Sequence, residues 1–254
     1  MTVLITGATD GLGRQVARDL AARGARVIVH GRDRERAEAL AGEIGGASVH
    51  LADFGALAEV ERLAEEVSGP LDVLINNAGI GYGDRELSAD GHELRFQVNY
   101  LAGFLLTARL LPAVRGRIVN VASIGQQALD LDDLMMERGY SGRRAYNQSK
   151  LAQIMFTFEL AERLGPDAAV TVNALHPATL MDTTMVRQAF GAAMSTVQEG
   201  ADAVVRLAAD PGLDGVTGRY FDGQEEATAN PQAYDAGARR RLWEESERLT
   251  GSMF

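Results

Sequence analysis

The chain has 254 residues, 46% hydrophobic and 24% charged, with no cysteine. That is the composition of an ordinary soluble globular protein, long enough to bury a core without disulfide or metal staples, and it excludes disulfide frameworks, thiolate zinc sites and cysteine nucleophiles. Its 35 acidic against 25 basic residues leave a net charge of -10, which repels nucleic-acid phosphates and anionic membranes.

The first predicted strand, Val3 to Thr6, begins at once, with no basic start or apolar stretch before it, so no leader is visible and a cytoplasmic location is expected. It runs into Thr6-Gly7-Ala8-Thr9-Asp10-Gly11-Leu12-Gly13, and a helix follows with Val16, Ala17, Leu20 and Ala21 on one side and Gly24 at its end. Glycines between a first strand and a first helix let the backbone turn sharply and let a pyrophosphate approach the amides. The spacing is G-x-x-x-G-x-G rather than G-x-G-x-x-G, and without a Gly-Lys-Ser/Thr it is not a Walker A loop.

The second strand, Arg26 to His30, leads into Gly31-Arg32. A carboxylate there would repel a 2'-phosphate, whereas a guanidinium binds one through paired charge-assisted bonds. NADP(H) is therefore favoured over NAD(H), with Arg14 as a second candidate cation, Arg34 and Arg36 as exposed helix charges, and Asp33 in reach of a ribose if the strand ends later. Ser48 to Ala52 reads as a third strand. In Ala56 to Val67, Leu57, Val60, Leu63, Ala64 and Val67 share one helix face and the glutamates face water. A fourth strand is Val73 to Asn76. The most apolar segment, Leu101 to Val114, is interrupted by Thr107, Arg109 and Pro112 and is too short to span a bilayer.

Ser123 follows the fifth strand, Arg117 to Ala122, on the same sheet end as Gly7, where a hydroxyl can orient a carbonyl oxygen. Val121 occupies the first glycine position of G-x-S-x-G, which disfavours a serine hydrolase. Tyr146 and Lys150 lie four apart in the helical segment Arg144 to Leu164 and share a face. A nearby ammonium is expected to lower the phenol's pKa, and two to three pH units of lowering take about 3 to 4 kcal/mol of phenolate stabilisation. Strands at Val170 to Leu175 and Arg219 to Phe221 complete the set, and Pro231 to Leu249 reads as a terminal helix. Gln126 to Arg143 and Ala178 to Ser195 read as irregular. The four histidines have no metal-ligand spacing, so no metal is expected. The alternation predicts one α/β domain over residues 1–254: a Rossmann-type, doubly wound parallel sheet of about seven strands flanked by helices.

Together, the Thr6-Gly7 to Gly13 turn, Asp53, Asn76-Asn77-Ala78-Gly79, Asn99, Ser123, Tyr146 with Lys150, and His176-Pro177-Ala178 resemble the short-chain dehydrogenases/reductases over nearly the whole chain. The likeness is strongest to the retinol-dehydrogenase-like and protochlorophyllide-reductase-like branch, through His30-Gly31-Arg32-Asp33, Val98-Asn99-Tyr100-Leu101 and Tyr146-Asn147-Gln148-Ser149-Lys150-Leu151. The resemblance implies a reversible NADPH-dependent carbonyl reductase, and the aliphatic and methionine side chains expected around its pocket suggest a lipophilic or aromatic substrate. Its catalytic set would be Asn99, Ser123, Tyr146 and Lys150, with Asn99 holding a water that links Lys150 to solvent. The cofactor would touch Gly7, Thr9, Asp10, Gly11, Leu12, Gly13, Arg14, Arg32, Asp53, Phe54, Asn77, Ala78, Gly79, Tyr146, Lys150, Pro177, Ala178 and Thr179. Ala178 stands where the family ordinarily has glycine. Ser123 and Tyr146 are farther apart than usual, and the extra segment Leu129 to Gly142, with Met135, Met136 and Tyr140, is expected to border the substrate pocket. Tyr82 and the lid residues Met181, Met185, Phe190 and Met194 are expected there too. A non-catalytic NADP sensor and a nucleotide-sugar epimerase or dehydratase are the alternatives, and a homo-oligomer is left open.

Overall fold

In the strands, side chains point alternately to opposite faces, and here both faces are apolar because both are covered. The computed structural model describes the backbone of all 254 residues and the side chains of all but 188–190. In β1 (Thr2–Ile5), Val3 and Ile5 enter one core and Leu4 the other. The pattern repeats in β2 (Arg26–Gly31), β4 (Leu71–Asn76), β5 (Val114–Val121) and β6 (Thr171–His176). β3 (Ser48–Leu51) and β7 (Tyr220–Asp222) flank them, and β8 (Glu225–Glu226) adds a two-residue antiparallel edge that the periodicity does not predict.

The order is β3-β2-β1-β4-β5-β6-β7-β8, parallel from β3 through β7. The α/β doubly wound sheet is thus as expected. One face is covered by α1 (Gly11–Ala22), α2 (Arg34–Glu43) and α8 (Val197–Ala209). The other carries α3 (Leu57–Glu66), α5 (Ala102–Leu110), α6 (Gly142–Leu164) and α9 (Ala236–Thr250). α4 (Leu94–Phe96) joins α5 through a π-helical turn, Gln97–Leu101. The strand order reverses between β1 and β4, which opens a crevice at their carboxyl ends.

Two stretches differ from expectation. The region 178–195 contains α7 (Thr184–Phe190), capped by the Thr183 side chain. The predicted terminal helix is broken into a 3-10 turn, Pro231–Tyr234, and α9, because Asp235 caps a new start by accepting from Gly237 and Ala238 amides. Trp243 of α9 stacks on Phe156 of α6 at 5.8 Å, and buried Arg239 pairs with Glu159 at 3.3 Å.

A polar seam crosses the sheet under the crevice. Asn76 donates to Thr107 Oγ1 (3.0 Å) and to Asn120 Oδ1 (2.9 Å). Asn120 donates to Thr157 Oγ1 (2.9 Å), and Thr157 donates to the Gln153 carbonyl (2.8 Å). These buried bonds set the height of α6 against β4 and β5, which apolar contact alone would leave free to slide.

Candidate active site

The crevice is a cleft of about 1500 Å³ running from the β1–α1 turn to the end of β6. Its floor requires glycine. Gly7 and Gly11 have φ of +64° and +48°, a Cβ at Gly7 would stand 2.9 Å from Ala78 Cα, and one at Gly13 would stand 2.5 Å from Asn77 Nδ2. The backbone therefore lies bare at the start of α1, where free amides and the helix dipole suit a pyrophosphate. Asp10 caps that helix by accepting from Gly11 N at 2.7 Å. Thr6 Oγ1 accepts from the amides of Asn77 and Ala78 (2.9 and 3.0 Å), while the Asn77 side chain donates to Thr6 O and Gly7 O. The bare backbone and the volume of this cleft suit a dinucleotide.

His30 also holds the turn, a role that no motif signalled. Its Nδ1 accepts from Gly7 N at 3.1 Å and its Nε2 donates to Ala52 O at 3.0 Å, while the ring stacks on Phe54 at 4.5 Å. Burial pushes its pKa down to about 4, so the ring is neutral at pH 7.

At this end Arg32, Asp33, Arg34, Arg36, Asp53 and Phe54 line the cleft. Arg32 lies 3.8 Å from Asp53, and Arg36 lies 3.8 Å from Asp10 and 3.6 Å from Asp33. Arg34 pairs with Glu38. Asp33 serves as the cap of α2, accepting from Arg36 N. The Arg14 expectation is corrected: its guanidinium turns along α1 to Glu43 at 3.1 Å, a carboxylate that Arg18 also holds, and it does not line the cleft.

The reactive groups meet at the opposite end. Ser123, Tyr146 and Lys150 all line the cleft, and Ser123 hydrogen-bonds the Tyr146 phenol. Ser123 Oγ also accepts from Gly125 N at 3.0 Å. Lys150 Nζ lies 5.7 Å from the Tyr146 ring centroid and donates to Val121 O (2.9 Å) and Gln153 Oε1 (3.0 Å). The expected lowering of the phenol's pKa by the ammonium is not what this geometry gives. Burial raises the Tyr146 pKa, the Ser123 bond lowers it in part, and Tyr82, edge-on at 5.2 Å, raises it again. Burial also brings Lys150 down to about 7. Both groups have lost water, and among the described residues no carboxylate faces the lysine to restore its charge.

The Asn99 side chain holds a neighbouring loop. Its amide is engaged by Ile80, accepting from N (2.7 Å) and donating to O (3.1 Å), and it donates to Ser149 Oγ (2.9 Å). The side chain thus clamps the Gly79–Ile80 backbone. It sits in the π-helical turn, a distortion frequent at functional sites.

Thr9, Asp10, Gly11, Leu12, Ala78, Gly79, Pro177, Ala178 and Thr179 line the cleft between the two ends, and His176 bonds Thr179 Oγ1 at 3.1 Å. The lid crosses above: Thr184 donates to Asp10 Oδ2 at 3.0 Å. Met181, Met185 and Tyr82 line the cleft as expected, while the Phe190 side chain lies outside the described residues. Met135, Met136, Tyr140 and Met194 do not line it. Met136 is buried, Met194 is exposed, Met135 packs on the core with its sulfur on Glu93 N, and Tyr140 donates to Glu93 Oε1 at 3.2 Å. The 129–142 segment braces the loop that carries Tyr82 from behind and does not line the cleft. Arg95, Glu86 and Leu180 line the cleft without having been singled out.

A cleft that begins on bare glycine backbone and ends at an acid–base pair is the mark of nicotinamide-dependent oxidoreductases on the Rossmann fold. Comparison with known proteins narrows that class: residues 1–193 match the family model described as short chain dehydrogenase, and the chain belongs to that family. It is 37% identical to mouse retinol dehydrogenase 13, over 98% of this chain and 84% of that protein, and 37% identical to mouse polyprenol dehydrogenase, over 98% and 83%. Among solved structures, an uncharacterized protein from Mycobacterium paratuberculosis matches with TM-score 0.85 and 34% identity, over 100% of this chain and 94% of that one. A short chain dehydrogenase from Shigella flexneri 2a complexed with NADP matches with TM-score 0.72 and 26% identity, over 88% and 96%.

Proposed function

We propose that this oxidoreductase uses NADP(H) to interconvert a carbonyl and an alcohol on a lipophilic or aromatic small molecule. The observation that carries the reading is the meeting of Ser123, Tyr146 and Lys150 at one end of a cleft whose other end is the glycine turn. When bound, the nicotinamide supplies or accepts the hydride. Ser123 holds the carbonyl oxygen, and Tyr146 Oη gives its proton to that oxygen as negative charge develops. The raised pKa suits this direction, because the phenol stays protonated at neutral pH while the nascent alkoxide is far more basic. Lys150, beside the phenol, would hold the coenzyme's sugar.

Arg32 and Arg36 support the choice of NADP(H), since both guanidiniums border the expected ribose end. The Shigella flexneri relative was solved with NADP, and a landomycin C-6 ketoreductase, 28% identical with TM-score 0.69, was solved with NADP and rabelomycin. The relatives' names, retinol and polyprenol dehydrogenase, support a lipophilic substrate. So do the apolar side chains of Ile124, Met181 and Met185 in the cleft wall.

Oxidation of NADPH against a panel of ketones and aldehydes tests the reading. Tyr146→Phe is expected to lower kcat about 10²- to 10⁴-fold, the usual worth of a general acid, while NADPH affinity by fluorescence stays within a few-fold. Undiminished turnover in that variant rejects the mechanism.

A further inference from the structure

We propose that Gln153 is a positioning residue for Lys150, its side-chain carbonyl and the Val121 carbonyl together clamping two of the amine's N–H groups so that one faces the cleft. Gln153 lies three positions after Lys150 on the same face of α6, and its Oε1 stands 3.0 Å from Nζ. Both residues are buried, at 5% exposure each. An ammonium has three donors and no acceptor, so two buried carbonyls leave a single donor, and Lys150 lines the cleft. The clamp is itself fixed. Thr157 donates to the Gln153 main-chain carbonyl, Asn120 donates to Thr157, and Asn76 donates to Asn120, so the polar seam of the sheet ends on the lysine's partner itself.

The second acceptor is neutral, and that has a chemical consequence. The groups facing Lys150 are Tyr146 on its own helix, Ser123 after β5, Asn99 in the π-helical turn and His176 at the end of β6, with Asp222 of β7 behind His176. Among the described residues no carboxylate touches Nζ, and burial leaves its pKa near 7. A hydrogen bond donated to a neutral carbonyl supports the charged form without pinning it, so Gln153 keeps the amine able to exchange a proton near neutral pH. A carboxylate at this position would hold the ammonium charged to higher pH.

Lys150 is the only lysine in the chain. Protein grown with lysine labelled at ¹³Cε therefore gives one lysine Cε signal, and its pH titration reads this amine without coenzyme or turnover. Gln153→Glu is expected to raise the midpoint by about one pH unit or more, as an opposite charge does. Gln153→Met, which removes the acceptor at similar volume, is expected to lower the midpoint and weaken NADPH binding several-fold. Should Gln153→Met fail to fold, the isosteric Gln153→Glu decides alone. Coincident midpoints in the wild type and folded variants overturn the proposal. The catalytic consequence rests on the reductase reading, which Lys150→Met tests separately: turnover persisting there rejects that reading and leaves the titration result standing.

Discussion

His30 is kept neutral by burial, and both of its ring nitrogens are in use. Its folded pKa of about 4 lies below the ordinary value of 6.5. As pH falls through 6.5 the unfolded chain takes up a proton that the folded chain refuses until about pH 4, so the unfolded state gains. Stability is intact above pH 6.5, declines below it, and the loss is complete below about pH 4. The gap between the two values is worth on the order of 3 kcal/mol. Protonation also turns Nδ1 into a donor facing Gly7 N–H, which removes the turn's anchor. Thermal unfolding followed from pH 7.5 to 4.5 is expected to show a shallower decline in His30→Gln than in the wild type. Parallel declines would mean that other groups carry the acid sensitivity.

Among the elements, the short α4 does more than its length suggests. Arg95, 4% exposed, donates from Nε to Gly81 O (3.1 Å) and from Nη1 to Asp84 O (2.7 Å), and pairs with buried Glu93 at 3.3 Å. Tyr140 from the 129–142 segment reaches the same carboxylate. The loop carrying Tyr82 is thus tied to α4 and braced from behind, and Tyr82 in turn lies edge-on against Tyr146. Arg95→Met is expected to raise KM for the carbonyl substrate on the order of tenfold through lost positioning, with NADPH affinity nearly unchanged. It also strands Glu93, at a cost of about 3 kcal/mol or more. Adding Glu93→Gln should recover most of that stability and none of the KM. Steady-state kinetics beside thermal unfolding separates the two effects, and recovery of both together would make the network purely structural.

Over the whole molecule, the cleft joins both halves of the sheet. The β1–β3 half supplies the glycine turn and the arginines, the β4–β7 half supplies the acid–base groups, and the lid spans them through Thr184 and Asp10. A ligand that touches all three favours the folded state by mass action. At a hundredfold excess over Kd the gain is about 2.7 kcal/mol, or roughly 5 to 10 °C in Tm for a chain of this size. Differential scanning fluorimetry is expected to show that shift with NADPH and a smaller one with NADH at the same concentration. Replacing Arg32 and Arg36 together by Ala should close the difference. Equal shifts in the wild type would overturn the preference for the 2'-phosphate.

The doubly wound sheet was legible because strands covered on both faces are apolar throughout and helices show a 3.6-residue stripe, both of which are local properties of the chain. The glycine turn, Ser123, and the four-residue spacing of Tyr146 and Lys150 were legible for the same reason. What could not be read locally is which way a polar side chain turns once neighbours from distant segments surround it. Arg14 goes to Glu43 instead of the cleft, the Asn99 amide to Ile80, and Tyr140 to Glu93, each partner being far away in sequence. The clearest case is proton affinity: helical spacing alone placed an ammonium beside a phenol, but packing removed water from both, and desolvation outweighed their proximity.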